Sequence, residues 1–108
     1  MPHDPGLAQI LRDDLTDVPV REQKMFGALC FLLNGHMICG THAKGALFRV
    51  GKPNMAAALA LPGTRVMSMA GRDMQGFLEL DAEALKDETR RAALLAIALG
   101  FVKSLPPK

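Results

Sequence analysis

Three side chains between residues 36 and 42 are of the types that bind metals. His36, Cys39 and His42 provide two imidazoles and a thiol, which are the ligands that zinc and similar metals prefer. On a regular strand, residues three apart point to opposite faces, and the two histidines would share a face but lie about 20 Å apart. The spacing therefore argues against a metal site, and we expect that no cofactor is required.

A catalytic alternative would use Cys30 as a nucleophile and one of these histidines as its base. Such a pair needs a third group that orients the imidazole, and no carboxylate is evident beside either histidine. A small buried core residue is the commoner role of a free cysteine. We therefore expect a protein that is not an enzyme.

Arg49 and the segment 71–76 have features of a binding site. Arg49 stands in an apolar run, where a guanidinium needs a carboxylate or carbonyl partner. It could bind an anion, or it could be a structural arginine with a packed stem. The segment 71–76 reads as a loop that could carry recognition or simply connect a hairpin. The candidate interaction residues are Arg49, Gly71, Arg72, Met74 and Gly76.

The seven methionines could form an adaptable binding surface or could fill the core. Core filling is the default, because the chain has no Trp, no Tyr and only five Phe to supply volume. The lack of interleaved aromatic residues also argues against stacking on single-stranded nucleic acid.

Charge is nearly balanced, since 13 Lys and Arg stand against 11 Asp and Glu. A formal net charge of +2 is too small to indicate a nucleic-acid or membrane surface. The weakest hypothesis is therefore nucleic-acid contact through a set of four arginines, and we expect no direct binding of this kind. The four are Arg65, Arg72, Arg90 and Arg91.

No basic, apolar signal segment begins the chain, and no apolar run approaches the roughly 18 residues that a membrane-spanning helix needs. We expect a cytoplasmic protein without a membrane segment.

The elements that must position these residues can be read from apolar spacing and from Gly and Pro. Helices are expected over 5–17, 53–61 and 81–105, with Asp4, Asp81 and Asp87 as N-caps. Strands are expected over 28–33, 36–41, 46–50, 65–69 and 77–80.

Asn34 and Gly35 predict a two-residue hairpin turn. In a regular ladder from that turn, Leu33 faces His36 and Cys30 faces Cys39, within the distance that a disulfide tolerates. In a reducing cytoplasm we expect both to be free thiols, although mild oxidation could link them. Both faces of the hairpin would be apolar, so helices or a second subunit should cover them. We expect a homodimer.

Five short motifs, in this order, resemble the N-terminal domain of the TfoX/Sxy family over nearly the whole chain. They are Met25-Phe26-Gly27, the Asn34-Gly35 hairpin, and the segments 47–51, 71–76 and 103–108. The resemblance implies a bacterial source and an α+β fold like that of the type III secretion chaperones. Five to six antiparallel strands would have helices around them, in the order α, three or four β, α, two β, α.

The family's named members regulate competence for DNA uptake alongside the cyclic-AMP receptor protein, and they carry a second, C-terminal domain. Residues 1–108 are expected to be a single N-terminal-type domain without it. The resemblance implies a non-catalytic regulatory or adaptor module that contacts an unidentified protein partner. The alternative is a small-molecule-binding protein or small enzyme that uses a cleft near Arg49 and Arg72.

Overall fold

A six-stranded antiparallel sheet with four α-helices forms the fold, in a computed structural model that describes residues 5–25, 28–42, 45–69 and 71–106. The strand order is β1-β2-β3-β4-β6-β5. The expected α+β class is confirmed. The elements are α1 (Pro5–Asp14), β1 (Arg21–Met25), β2 (Ala28–Leu33), β3 (His36–His42), β4 (Gly45–Arg49), a 3₁₀ turn (Lys52–Asn54), α2 (Met55–Leu59), β5 (Thr64–Met69), β6 (Arg72–Asp81), α3 (Ala82–Leu85) and α4 (Glu88–Lys103).

One face of the sheet packs against the helices and forms the main core, which we call the helical core. Leu11 of α1, Phe31 and Phe48 of the sheet and Leu94 of α4 are fully buried in it. The apolar spacing that predicted α1 supplies its buried side, since residues three and four apart share one side of a helix. The helices therefore cover this face.

The opposite face carries a smaller group of apolar side chains, which we call the sheet-side cluster. All of its members among the described residues come from strands, so the expected helix cover exists on one face only. Three are methionines, of which Met67 is buried and Met37 and Met74 are half-buried. The members are Ala28, Cys30, Leu47 and Met67, with Leu32, Met37, Met74 and Phe77 partly buried against them.

The first hairpin has the predicted turn but not the predicted register. Asn34 and Gly35 both have positive φ, 55° and 84°, and Leu33 faces His36. The ladder then shifts by one residue at a β-bulge, so that Cys39 pairs with Phe31 instead of Cys30. The predicted Cys30 to Cys39 pairing is wrong, because the regular ladder did not allow for an extra residue on one strand.

The bulge puts the two cysteines on opposite faces of the sheet. Cys39 lies in the helical core and Cys30 in the sheet-side cluster, and burial raises the pKa of both thiols. We expect mild oxidation of the folded protein to form no bond between them, and a thiol reagent to label both only after unfolding. Mass spectrometry of an unreduced digest measures this. A peptide linking Cys30 to Cys39 from folded protein would contradict the register.

The expected loop over 71–76 is wrong for most of its length. Arg72 already belongs to β6 and pairs with Met69 of β5. Gly76 lies inside the strand with φ 87°, near an irregularity where the β5 to β6 register shifts. Glycine permits a strand bulge as readily as a turn, so the two glycines did not mark the ends of a loop.

The first and last helices are joined by an ion pair. The Arg91 side chain of α4, 11% exposed, donates from Nε and a terminal nitrogen to the Asp14 carboxylate. Its other terminal nitrogen donates to the Leu85 carbonyl at 2.9 Å.

The Asp87 side chain caps α4 by accepting from the Arg90 amide, as predicted.

Among the described residues, no helix is long and apolar enough to cross a membrane.

Candidate functional site

Arg49 ends β4 and lies against two aromatic rings. Phe77 is its cross-strand partner on β6, and the Arg49 Cζ is 5.9 Å from the centroid of that ring. The ring of Phe101, on α4, is 5.5 Å from the same atom. Both distances fall within the roughly 6 Å range of cation-π attraction. One ring from the sheet and one from a helix therefore hold the guanidinium.

The Arg49 guanidinium makes no hydrogen bond or ion pair to any residue that the structure describes. Within the described residues Arg49 therefore has two aromatic rings beside it and no carboxylate or carbonyl partner, and the expected anion contact stays a prediction. Guanidinium carries five N–H donors in a planar fork. Since π contact does not use these donors, they are available to a ligand.

The turn after β4 is shaped to admit the Phe101 ring. The amides of Val50 and Gly51 both donate to the Gly76 carbonyl, at 2.9 and 3.1 Å. Gly51 has φ 87°, and a Cβ added there would lie 2.4 Å from a ring carbon of Phe101. A glycine is therefore required for the ring to reach Arg49.

A cleft of about 330 Å³, which we call the Arg49 cleft, opens beside Arg49 and the turn after β4. Its polar side chains are Arg49, Lys52 and Gln75, and the two phenyl rings form its apolar wall. Among the described residues that line it there is no Asp or Glu. The cleft therefore has the chemistry of an anion-binding site with an aromatic wall.

A groove of about 500 Å³ runs along α4 beside the cleft and shares Pro53 and Phe101 with it. We call it the α4 groove. Ala96, Gly100 and Ser104 lie on one side of the helix because they are four residues apart. None of the described residues lining this groove is charged. The cleft, with its cations Arg49 and Lys52, thus lies beside a groove whose described lining is neutral.

The family model of the TfoX N-terminal domain matches residues 13–102. The chain belongs to this family. The motif-based resemblance is thereby confirmed, and the match includes every strand as well as Arg49, Phe77 and Phe101. No curated protein and no solved structure matches the chain.

Of the residues predicted for the site, this TfoX N-terminal domain brings Arg49 and Gly76 together. Arg72 is exposed on β6 and does not line the cleft, Gly71 is exposed in the turn, and Met74 packs in the sheet-side cluster. Of the family motif Met25-Phe26-Gly27, the last two residues lie outside the described ranges, and Met25 ends β1.

Six of the described residues that line the cleft were not named as site residues by sequence reasoning, although one of them, Gln75, lies in the segment 71–76 considered for recognition. Phe77 could have been found from its pairing with Arg49, but that pairing needs the β4 to β6 order, which no local pattern gives. Phe101 has no local signal, since an aromatic residue in an apolar helix is typical of any core. The six residues are Gly51, Lys52, Pro53, Gln75, Phe77 and Phe101.

His36, Cys39 and His42, the residues considered for a metal site, do not form a ligand group in the described structure. The His36 Nε2 donates to the Pro106 carbonyl at 2.7 Å. His36 shares a face with Leu33, and the bulge turns Cys39 to that same face, so the expectation that these two point apart is wrong. The described residues hold no group of three or more His, Cys, Asp or Glu that could bind a metal.

Three of the four arginines considered for nucleic acid have carboxylate partners within this TfoX N-terminal domain. Arg65 pairs with Glu79 and Asp81, and its hydrogen bond to Asp81 raises the pKa of the guanidinium. The other pairs are Arg90 with Asp87 and Arg91 with Asp14. Their charges are therefore locally balanced.

Proposed function

We propose that this chain is a non-catalytic regulatory or adaptor module that binds a partner protein at the Arg49 cleft. Family membership supports a TfoX-like regulatory module. The observation that carries the proposal is the half-buried guanidinium of Arg49, held by two rings and without an ionic partner among the described residues. Arginine and aromatic side chains are enriched where protein interfaces concentrate their binding energy.

The polar groups of the cleft suit binding better than catalysis. A guanidinium, an ammonium and an amide come from Arg49, Lys52 and Gln75, and they donate hydrogen bonds or attract charge. A general base or activated nucleophile would need a different set of groups. This is why the proposal is for an adaptor and not for an enzyme.

Affinity purification from the organism that encodes the chain tests the proposal. The wild-type chain and Arg49→Met are used as baits, with Arg72→Met as the matched control because Arg72 is exposed and outside the cleft. We expect a partner that wild type and the control retain equally and that Arg49→Met retains at least about tenfold less. Identical sets of proteins on all three baits would contradict the proposal.

In its finer form, the proposal places the module in the cytoplasm and its partner in transcriptional or competence regulation, as the family's named members imply. Complementing a deletion strain with wild type, Arg49→Met or Arg72→Met tests this. We expect only Arg49→Met to fail to restore DNA uptake. Equal uptake with and without the gene would remove the competence role.

A small-molecule ligand is the second candidate, because about 330 Å³ falls within the size range of ligand pockets. In this version Arg49 acts without Arg72, which lies outside the cleft. Native mass spectrometry of the purified chain decides between the two. A bound compound at one per chain that disappears in Arg49→Met would favour the small molecule over the partner protein.

We also propose that the chain forms a two-fold dimer with a second copy over its sheet-side cluster. Among the described residues no helix covers this face, where Leu32, Met37, Met74 and Phe77 are only half-buried. We expect light scattering to give the dimer mass at high micromolar concentration and Met37→Glu to give the monomer mass. A monomer mass for wild type would overturn this proposal.

A further inference from the structure

We propose that the Arg49 cleft and the α4 groove together bind an acidic peptide segment of the partner. A side-chain carboxylate of the peptide contacts Arg49, and a neighbouring apolar side chain lies in the groove. This inference rests on the proposed function and specifies its ligand. The observation behind it is that a cationic cleft and a neutral groove lie side by side and share Pro53 and Phe101 as lining residues.

Charge is the first reason for an acidic ligand. Two cations, Arg49 and Lys52, line the cleft without a carboxylate among its described lining residues. Of the acids on β6, Glu79 and Asp81 are paired with Arg65, and Asp73 is exposed and does not line the cleft. A carboxylate matches the planar fork of a guanidinium and can accept two parallel hydrogen bonds from it. The cleft thus has a donor set that a carboxylate completes.

The turn after β4 argues for a carboxylate over a phosphate. Phosphate sites commonly use successive backbone N–H groups that point into a concave turn. Here the amides of Val50 and Gly51 are both directed to the Gly76 carbonyl. The turn therefore offers no backbone cradle at these two positions, and the side-chain donors suit a single carboxylate.

The α4 groove indicates the length and the apolar character of the peptide beside its carboxylate. Its α4 side is formed by the small residues Ala96, Gly100 and Ser104, which allow another backbone to come close. From the first to the last of these, the helix rises about 12 Å, the length of an extended segment of about four residues. The half-buried Ile97 supplies apolar contact. A short peptide with an acidic residue beside apolar ones fits this shape.

Selection from a random twelve-residue peptide library displayed on phage, with wild type as bait, tests the inference. We expect enrichment of Asp or Glu within about four positions of an aliphatic or aromatic residue. Fluorescence anisotropy of a labelled selected peptide should then show affinity lower by about tenfold to a hundredfold for Arg49→Met. The same loss is expected when the peptide's Glu becomes Gln. Arg72→Met should bind as wild type does.

A second variant keeps the test valid if Arg49→Met is poorly folded. Lys52→Gln removes an exposed charge at the cleft and should weaken binding severalfold without changing the fold. Selected peptides without acidic residues, or no enrichment at all, would overturn the inference. So would displacement of the peptide by inorganic phosphate at concentrations where acetate has no effect, since this would assign the cleft to phosphate. If a partner is captured through Arg49 while the selected peptides lack acids, the proposed function stands and only the acidic ligand fails.

Discussion

Replacing Phe48 with alanine is expected to lower the free energy of unfolding by about 3 to 5 kcal/mol. The Phe48 side chain is fully buried in the helical core, and β4 is paired on both sides, with β3 and with β6. Removing the ring leaves a cavity that neighbouring strands cannot easily close. Chemical denaturation followed by circular dichroism measures the loss.

Phe77→Ala is the matched control for Phe48→Ala, because it removes the same atoms from the neighbouring strand. The Phe77 ring is only partly buried, at the edge of the sheet-side cluster and beneath Arg49. We expect a smaller loss of stability but a clear loss of partner binding at the cleft. An equal loss of stability in the two variants would mean that the helical core is not the main source of stability.

Removal of the Asp14 carboxylate is the second large effect that we expect, at about 3 kcal/mol for Asp14→Ala. The variant leaves the guanidinium of Arg91, whose side chain is 11% exposed, with the Leu85 carbonyl as its remaining hydrogen-bond partner among the described residues. A buried charge without its counterion is costly. Thermal and chemical denaturation at neutral pH measure the change.

Asp13→Ala provides the control on the same helix. Asp13 is exposed and accepts from the Gln9 amide, so its loss should change stability by less than about 1 kcal/mol. The double variant Asp14→Ala with Arg91→Met should recover part of the loss, because no buried charge then lacks a partner. If the double variant is less stable than the sum of the two single changes predicts, the pair is not the link between α1 and α4 that we describe.

Local chemistry made much of the fold predictable. The need for positive φ at Asn34 and Gly35 identified the first turn, and the carboxylate at Asp87 identified the start of α4. The bulge in β3 was missed because alternation of faces assumes one residue per step. The start of β6 at Arg72 was missed because it depends on the pairing of Arg72 and Asp73 with β5.

The candidate site was predictable only in part, for a related reason. Arg49 could be selected because a cation in an apolar run needs compensation. The rings of Phe77 and Phe101 stabilise the Arg49 guanidinium by cation-π contact. Both residues are distant from Arg49 in the sequence. Their convergence requires both the β4 to β6 pairing and the packing of α4 against Gly51. Neither long-range contact leaves a periodic pattern.

The bulge in β3 also determines where the length of this chain can change. Within a regular strand, losing or gaining one residue sends all later side chains to the opposite face. At the bulge, deletion of Ile38 would leave Met37 opposite Leu32 and Cys39 opposite Phe31, with every later pair of the ladder unchanged. The cost would be the Ile38 side chain itself, which is fully buried in the helical core. Single-residue length variation in β3 is therefore compatible with the rest of the sheet at this position.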